Sequence, residues 1–395
     1  MANICMLLNG EIRNDDRVIK TISSLSKRHK VDLYYVPSKA ESSRLNFSEN
    51  VELYPIPQRN GLGKWLIRHS FFYNEFLFFV KHVLSRNIKY DFIYANDLPC
   101  LKPASILARK LNAGVVYDAH EIYVETINQF FPSQAPFFKK IIFNALISFM
   151  QAIGKRAEQK MLKHVDYFIT VGEGLKKHFE ETYGFKDIRV VMNCPVRQEI
   201  NDKVDYYAIL NIPKESFIVL YQGVLNAGRG LPVLIEAMKL TDKRVVLAII
   251  GYGPLEETLK RDVQFKNLGE KVFFLGKIPS YQLPVYTSGA HCGINLLEPI
   301  NKSKALAAPN KLFQYIHASI PVIASNSYEN VKVFEKYKLG FLVENTPEEI
   351  ADAINTMASI NRTEFVENCK KAALEYNWEN QEKVLLSLFE SQNEL

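Results

Sequence analysis

A chain of 395 residues is longer than one ordinary hydrophobic core supports, so two domains are expected. With 47% hydrophobic and 23% charged residues the composition excludes wholesale disorder, and no uninterrupted apolar run reaches the roughly 18 residues of a spanning helix. The net charge of +6 is uneven: residues 1–195 carry 27 Lys+Arg against 19 Asp+Glu, the remainder 22 against 24, so an anionic partner such as lipid, nucleic acid or phosphorylated substrate suits the first half. Five cysteines lie far apart with no CxxC pair. That pattern argues against a disulfide framework or a zinc site and for reduced thiols in a cytosolic compartment. Met1 leads almost directly into ICMLLNG, which reads as a first strand and not as a signal peptide.

In chain order, Ile4–Leu8, Val31–Val36, Phe92–Ala95, Val115–Asp118, Tyr167–Val171 and Val190–Met192 read as strands. They are nearly continuous apolar runs, as parallel strands covered on both faces require. Helical periods separate several of them: Arg17–Lys27, Cys100–Leu111, Gly154–His164 and Leu175–Thr182. A polar stretch from Asn193 to Pro213 marks the expected domain boundary. The alternation then restarts with strands at Phe217–Gln222, Val245–Gly251, Val272–Leu275, Cys292–Leu296, Val322–Ser325 and Gly340–Val343. Helices are expected at Leu231–Leu240, Leu255–Gln264, Gln282–Tyr286, Lys311–Ala318 and Pro347–Met357, with a closing helix from Tyr376 onward. The fold class is α/β, with two doubly wound domains and ligands expected at the carboxyl ends of their strands.

Polar residues cluster where those strands end. Tyr221–Met238, YQGVLNAGRGLPVLIEAM, is a strand, a glycine loop and a helix; Gly223 permits close approach of a phosphate and Arg229 offers it a charged fork. IIGYGP carries Gly251, and LGKIP carries Lys277 and Ile278. In AAPNKLFQYIHASIPVIAS, Pro309 fits the first turn of a helix through Leu312, Phe313, Tyr315 and Ile316, with Lys311 and Gln314 on its polar side. A helix N-terminus at Asn310 beside a lysine, at the mouth of a parallel sheet, suits a phosphate. In the first half, VVYDAHEIY places Asp118, His120 and Glu121 after a strand, FIYAND places Asn96 and Asp97, and NGEIRNDDRVIK places Gly10 before a helix capped by Asp15 or Asp16. His291 and Cys292, at the start of a strand, read as packing residues.

These blocks, in this order, resemble glycosyltransferases of family 4, which have the GT-B fold; the likeness covers nearly the whole chain and is strongest from Tyr221 to Val343. The resemblance implies two Rossmann-like domains facing across a cleft: residues 1–195 for the acceptor, 196–375 for the nucleotide-sugar donor, and 376–395 as a helix crossing back to the first domain. It implies a donor site of Gly10, Gly223, Arg229, Gly251, Lys277, Ile278, Pro309, Asn310, Lys311, Leu312 and Gln314. His120, Arg229, Lys311 and Glu298 are the implied catalytic set, with Asn96, Asp97, Asp118 and Glu121 toward the acceptor or, for Asp118 and Glu121, orienting His120. Three positions depart from the family pattern: Gln314 and Leu306 stand where two glutamates are usual, and Val224 where a phosphate-binding cation is usual. Glu298 is then the remaining acidic candidate.

The expected activity is transfer of a sugar from a UDP- or GDP-linked donor to a glycan or lipid-linked acceptor, with retention and without a metal, cofactor or nucleic acid. Two alternatives are a GT-B nucleotide-sugar epimerase and a catalytically impaired nucleotide-sugar-binding partner. Two aromatic and basic stretches, Leu62–Arg86 and Phe130–Lys163, suit either an anionic membrane at the inner face of the cell envelope or the packing of helices onto the sheet.

Overall fold

The computed structural model describes residues 1–37, 45–56, 77–130 and 136–390. The chain forms two compact units, Met1–Val191 with Glu382–Leu395, and Met192–Gln381. The first unit holds seven parallel strands: β1 (Asn3–Leu8), β2 (Lys30–Tyr35), β3 (Val51–Pro55), β4 (Phe92–Asn96), β5 (Gly114–Ala119), β6 (Tyr167–Thr170) and β7 (Ile188–Val190). Their order is β3-β2-β1-β4-β5-β6-β7. β3 escapes sequence reading because it is a short edge strand without a buried apolar run. The helix expected at Gly154 begins much earlier and runs Phe137–Leu162.

The second unit holds β8 (Phe217–Gln222), β9 (Val245–Ile250), β10 (Val272–Gly276), β11 (Cys292–Asn295), β12 (Val322–Ser325) and β13 (Gly340–Val343), in the order β10-β9-β8-β11-β12-β13, all parallel. β8 and β9 are buried at every residue, which explains their legibility as unbroken apolar runs. Helices pack on both faces. Leu231, Leu234 and Ile354 join Leu247 and Ile249 on one side, and Leu312, Ile316 and Phe334 join Leu220 and Ala248 on the other. Each of these leucine, isoleucine and phenylalanine side chains is worth about 1.5–3 kcal/mol of burial. Helices Tyr328–Tyr337 and Thr363–Glu375, unpredicted because charges interrupt their apolar stripes, complete this second layer.

The final helix is Trp378–Ser387. Beyond it Phe389 packs edge-on against Phe92, with ring centroids 5.1 Å apart, and Glu382 pairs with Lys27 at 2.6 Å. All five cysteines are buried thiols.

Each sheet reverses its order of addition once, between β1 and β4 in the first unit and between β8 and β11 in the second. At such a switch point the loops leaving two adjacent strands diverge and open a crevice at their carboxyl ends. The candidate residues follow β1, β4 and β5 in one unit and β8, β9, β10 and β11 in the other.

Candidate active site

In the second unit the switch point is closed by one tyrosine. Tyr315 lies fully buried on helix Asn310–His317, and its hydroxyl accepts from Gln222 N at 3.2 Å while lying 3.2 and 3.1 Å from the carbonyls of Leu220 and Ile294. β8 and β11 are thereby joined through a side chain. The ring fits because β11 has a glycine beneath it: a Cβ on Gly293 would lie 2.4 Å from the Tyr315 ring.

The glycine loop after β8 takes its shape from the loop after β9. Gly251 has φ of +149°, and a Cβ there would fall 1.9 Å from the Gly223 carbonyl oxygen. The sequence reading assigned Gly251 to the donor; its glycine is required by the crossing of two backbones. Arg229 stands between Gly228 and Gly230, and its Nε is buried with no hydrogen-bond partner. Glu298 N donates to the Gly228 carbonyl at 3.2 Å, so the loop after β11 is stitched to the loop that carries Arg229. Val224 is exposed on the same loop and supplies no charge.

Helix Asn310–His317 forms because Leu312, Phe313, Tyr315 and Ile316 make one buried face, and Pro309 caps it in extended conformation at φ −79°, outside the first turn. Two expectations change here. Leu312 is core, and its amide is taken by the Pro309 carbonyl at 3.1 Å. Lys311 is not on a solvated face: it is 5% exposed, and its Nζ sits 3.9 Å from the centroid of the Tyr221 ring. That ammonium has no hydrogen-bond partner. Burial, and then the charge of Arg229, hold Lys311 well below the usual lysine range. Two buried nitrogens without partners, Nζ of Lys311 and Nε of the half-buried Arg229, thus converge beside Tyr221. An orphaned buried cation costs free energy unless an anion joins it.

Gln314 is held by a relay. Thr287 Oγ1 donates to Gln222 Oε1 at 2.8 Å, and Gln222 Nε2 donates to Gln314 Oε1 at 2.6 Å. The carboxamide NH2 of Gln314 is therefore the group left to meet a ligand, a donor where a glutamate would offer an acceptor. Thr287 and Gln222 were missed in sequence because nothing in their spacing distinguishes them from core polar residues. Lys277 lies 4.9 Å from the Tyr252 ring centroid and is exposed, while Ile278 is half-buried against the core. His291 is a packing residue as expected: it accepts from Ile218 N at 2.8 Å and stacks on Phe217.

The first unit brings its candidates to the β1–β4 switch point. Asn96 is buried and donates to the Leu7 carbonyl at 2.9 Å, tying β4 to β1. Asp97 has φ of +60°, a conformation that costs a non-glycine residue and that concentrates at functional sites. Its carboxylate accepts from His120 N at 2.8 Å and approaches His120 Nδ1 at 3.4 Å. On the other side of the ring, Asp118 Oδ2 lies 3.4 Å from Nε2. Gly10 borders open space, since a Cβ there meets nothing within 4 Å. Asp15 caps the following helix by accepting from Val18 N at 3.1 Å. Glu121 is half-buried beside His120.

Asp118 cannot be an acceptor contact. It is 0% exposed, and its carboxylate receives Arg17 Nε at 3.1 Å and Nη2 at 2.7 Å, with the Tyr94 hydroxyl at 2.7 Å. Burial would raise its pKa, but Arg17 and then His120 outweigh that and hold it below the usual carboxylate range. Arg17 reaches on to the Val191 carbonyl at 2.5 Å. Asp118 thus orients the His120 ring.

Burial opposes a charge on His120, yet Asp97 and then Asp118 prevail and push its pKa up to about 9. The unfolded value is about 6.5. A raised folded pKa means the cation's stabilisation is complete below about pH 6.5 and is lost as pH rises through 9. In urea titrations, the stability difference between wild type and His120→Gln is therefore expected to shrink between pH 6.5 and 9, by at most about 1.4 kcal/mol per pH unit. A pH-independent difference would show that His120 is neutral.

Residues 202–376 match the family model described as Glycosyl transferases group 1, and residues 17–194 match that described as Glycosyltransferase Family 4. Among solved structures, sucrose-phosphate synthase of Thermosynechococcus elongatus superposes with a TM-score of 0.75 at 17% identity, covering 99% of both chains. HepE of Anabaena, solved in complex with UDP-glucose, gives 0.70 at 15% identity over 99% of this chain and 100% of that one. WaaG, a glycosyltransferase involved in lipopolysaccharide biosynthesis, gives 0.66 at 13% identity over 98% of each. At these identities the likeness is one of fold. A comparison with curated protein sequences finds no match.

Proposed function

The chain belongs to the group 1 glycosyl transferases and has their GT-B fold of two Rossmann-like domains, and from that premise we propose the finer reading of a metal-independent, retaining transferase that uses a UDP- or GDP-linked sugar. The observation that carries it is the convergence beside Tyr221 of two buried nitrogens without hydrogen-bond partners, Nζ of Lys311 and Nε of the half-buried Arg229. A departing nucleoside diphosphate develops negative charge, and fixed cations in a site closed to water stabilise it without reorganising. The amides that open helix Asn310–His317 point the same way as an anion-binding helix terminus. The neighbour HepE was solved with UDP-glucose, which supports a nucleotide sugar as ligand here. With charge supplied by two side chains, no metal is required for the leaving group.

In this reading Gln314 binds the ribose through its free NH2, Lys277 and Ile278 border the base, and Glu298 meets the sugar. In the first unit His120, with Asp97 and Glu121, holds substrate hydroxyls, and Asp118 acts only through His120. The acceptor is a glycan or lipid-linked saccharide of a surface polysaccharide or other glycoconjugate, reached at the cytoplasmic face of a membrane; the neighbour WaaG, involved in lipopolysaccharide biosynthesis, supports a glycoconjugate acceptor. Among the described residues no helix is long and apolar enough to cross a membrane; the association proposed there is peripheral.

A panel of UDP- and GDP-sugars, each with and without candidate acceptors and in the presence of EDTA, tests this. Acceptor-dependent release of nucleoside diphosphate is expected. Sugar interconversion without release would point to the epimerase, and binding without either reaction to an inactive partner. Arg229→Ala is expected to lower kcat/KM about 10²–10³-fold, the usual effect of removing one fixed donor from a developing anion. Turnover near the wild-type value would remove Arg229 from the phosphate site.

A further inference from the structure

Helix Phe137–Leu162 is apolar on two opposite faces. One face packs inward, with Phe143, Ile147 and Met150 half-buried, Gly154 buried, and Glu158 buried where the hydroxyls of Tyr117 and Tyr183 donate to it at 2.9 and 2.6 Å. The other face points to solvent. Ile141 is 53% exposed, Ile142 64%, Leu146 40% and Phe149 63%. With Ala145 these residues recur at helical spacing and form one stripe. A single exposed leucine needs no explanation, but a contiguous stripe of large apolar side chains marks a surface meant to be covered.

Its charge identifies the cover. Continued along the helix, the same stripe turns basic, with Arg156, Lys160 and Lys163 exposed at the next turns. Among the described residues none of these three is in an ion pair, and Lys139 and Lys140 add exposed cations at the start of the helix. Residues 126–157 contain no Asp or Glu. An apolar half followed by a cationic half on one outward stripe matches a bilayer whose acyl boundary lies beside anionic headgroups. A second copy of the chain would set these cations against each other if the stripes met face to face in parallel. Of the other stretch flagged in sequence, Phe79 and Val83 are core, and residues 57–76 lie outside those described.

We propose that the outward stripe from Ile141 to Lys163 is the surface by which this protein docks on an anionic membrane, with Ile141, Ile142, Leu146 and Phe149 entering the acyl boundary and Arg156, Lys160 and Lys163 lying among the headgroups. This gives the peripheral association proposed above a specific surface, and it rests on that reading only for the choice of a membrane-borne acceptor. Docking is scored by lipid binding and transfer by nucleotide release, so failure of one leaves the other intact.

The test is flotation of the full chain with vesicles of phosphatidylcholine alone or with 30 mol% phosphatidylglycerol, on the order of one charge per three headgroups. Wild type is expected to bind the anionic vesicles at least tenfold more strongly, and to lose that preference as salt rises. The combined variant Ile141→Ser, Ile142→Ser and Phe149→Ser is expected to lose binding tenfold or more. It should melt as wild type does, because the altered side chains are exposed. Arg156→Gln with Lys160→Gln and Lys163→Gln is expected to retain weak binding that no longer responds to salt. Wild-type protein that fails to float with anionic vesicles overturns the proposal, and so does a serine variant that floats unchanged. Sedimentation adds a further check: a dimer dispersed by the serine variant, with no vesicle binding, would assign the stripe to a second copy.

Discussion

Lys311→Met is expected to give a protein that melts higher than wild type and no longer turns over its donor. The two effects share one cause. Lys311 is buried, has no hydrogen-bond partner, and rests against the face of Tyr221 with Arg229 nearby. Methionine fills a similar volume without a buried polar group, so the free protein gains roughly 1–3 kcal/mol, the cost of one unsatisfied buried donor. That gain should raise the melting midpoint by several degrees. In the proposed complex the same ammonium meets the diphosphate, and its loss should lower kcat/KM about 10²–10³-fold. Burial and the charge of Arg229 hold the Lys311 pKa below the lysine range in the free protein, and an arriving anion should raise it. A variant that is both less stable and fully active would mean that the ammonium serves the fold.

Asp118→Ala is expected to have the largest effect on stability, a loss of about 3–5 kcal/mol. The carboxylate is wholly buried and bridges Arg17, Tyr94 and His120. Its removal strands the Arg17 guanidinium, 3% exposed, with the Val191 carbonyl as its remaining partner on this side. Stranding a buried charge costs more than the ion pair contributed. The double variant Arg17→Met with Asp118→Leu should therefore recover most of the loss in urea unfolding. In Asp118→Asn the pKa of His120 should fall from about 9 toward its ordinary value, as one of its two carboxylates is neutralised. A cost below about 1 kcal/mol for Asp118→Ala would contradict the burial of this network.

The alternation of apolar runs and helical periods made the two α/β units legible, because strands such as Phe217–Gln222 are buried on both faces and leave no polar residue to interrupt them. The edge strand Val51–Pro55 lacks that signature and was not visible. Of the candidate site, Arg229, His120 and the N-terminus of helix Asn310–His317 were legible, since glycines and a polar run at a strand end are local features. The state of Lys311 was not. Its sequence spacing suits a solvated helix face, and only the placement of Tyr221 under it shows the ammonium to be buried. The sequence leaves Asp118 either an acceptor contact or the residue that orients His120, and what decides for the second is its partner Arg17, 101 residues away in the chain. The roles of Gln222 and Thr287 in fixing Gln314 likewise depend on contacts across 92 and 65 residues, which no local pattern encodes.

In the proposed complex Lys311 and Arg229 together receive the phosphates of a sugar nucleotide. Calorimetric titration of wild type, Arg229→Ala and Lys311→Met with UDP and with GDP, in EDTA, tests it most directly. At least one nucleotide is expected to bind wild type without metal, and to bind each variant at least tenfold more weakly. Equal affinity in all three proteins would contradict the claim.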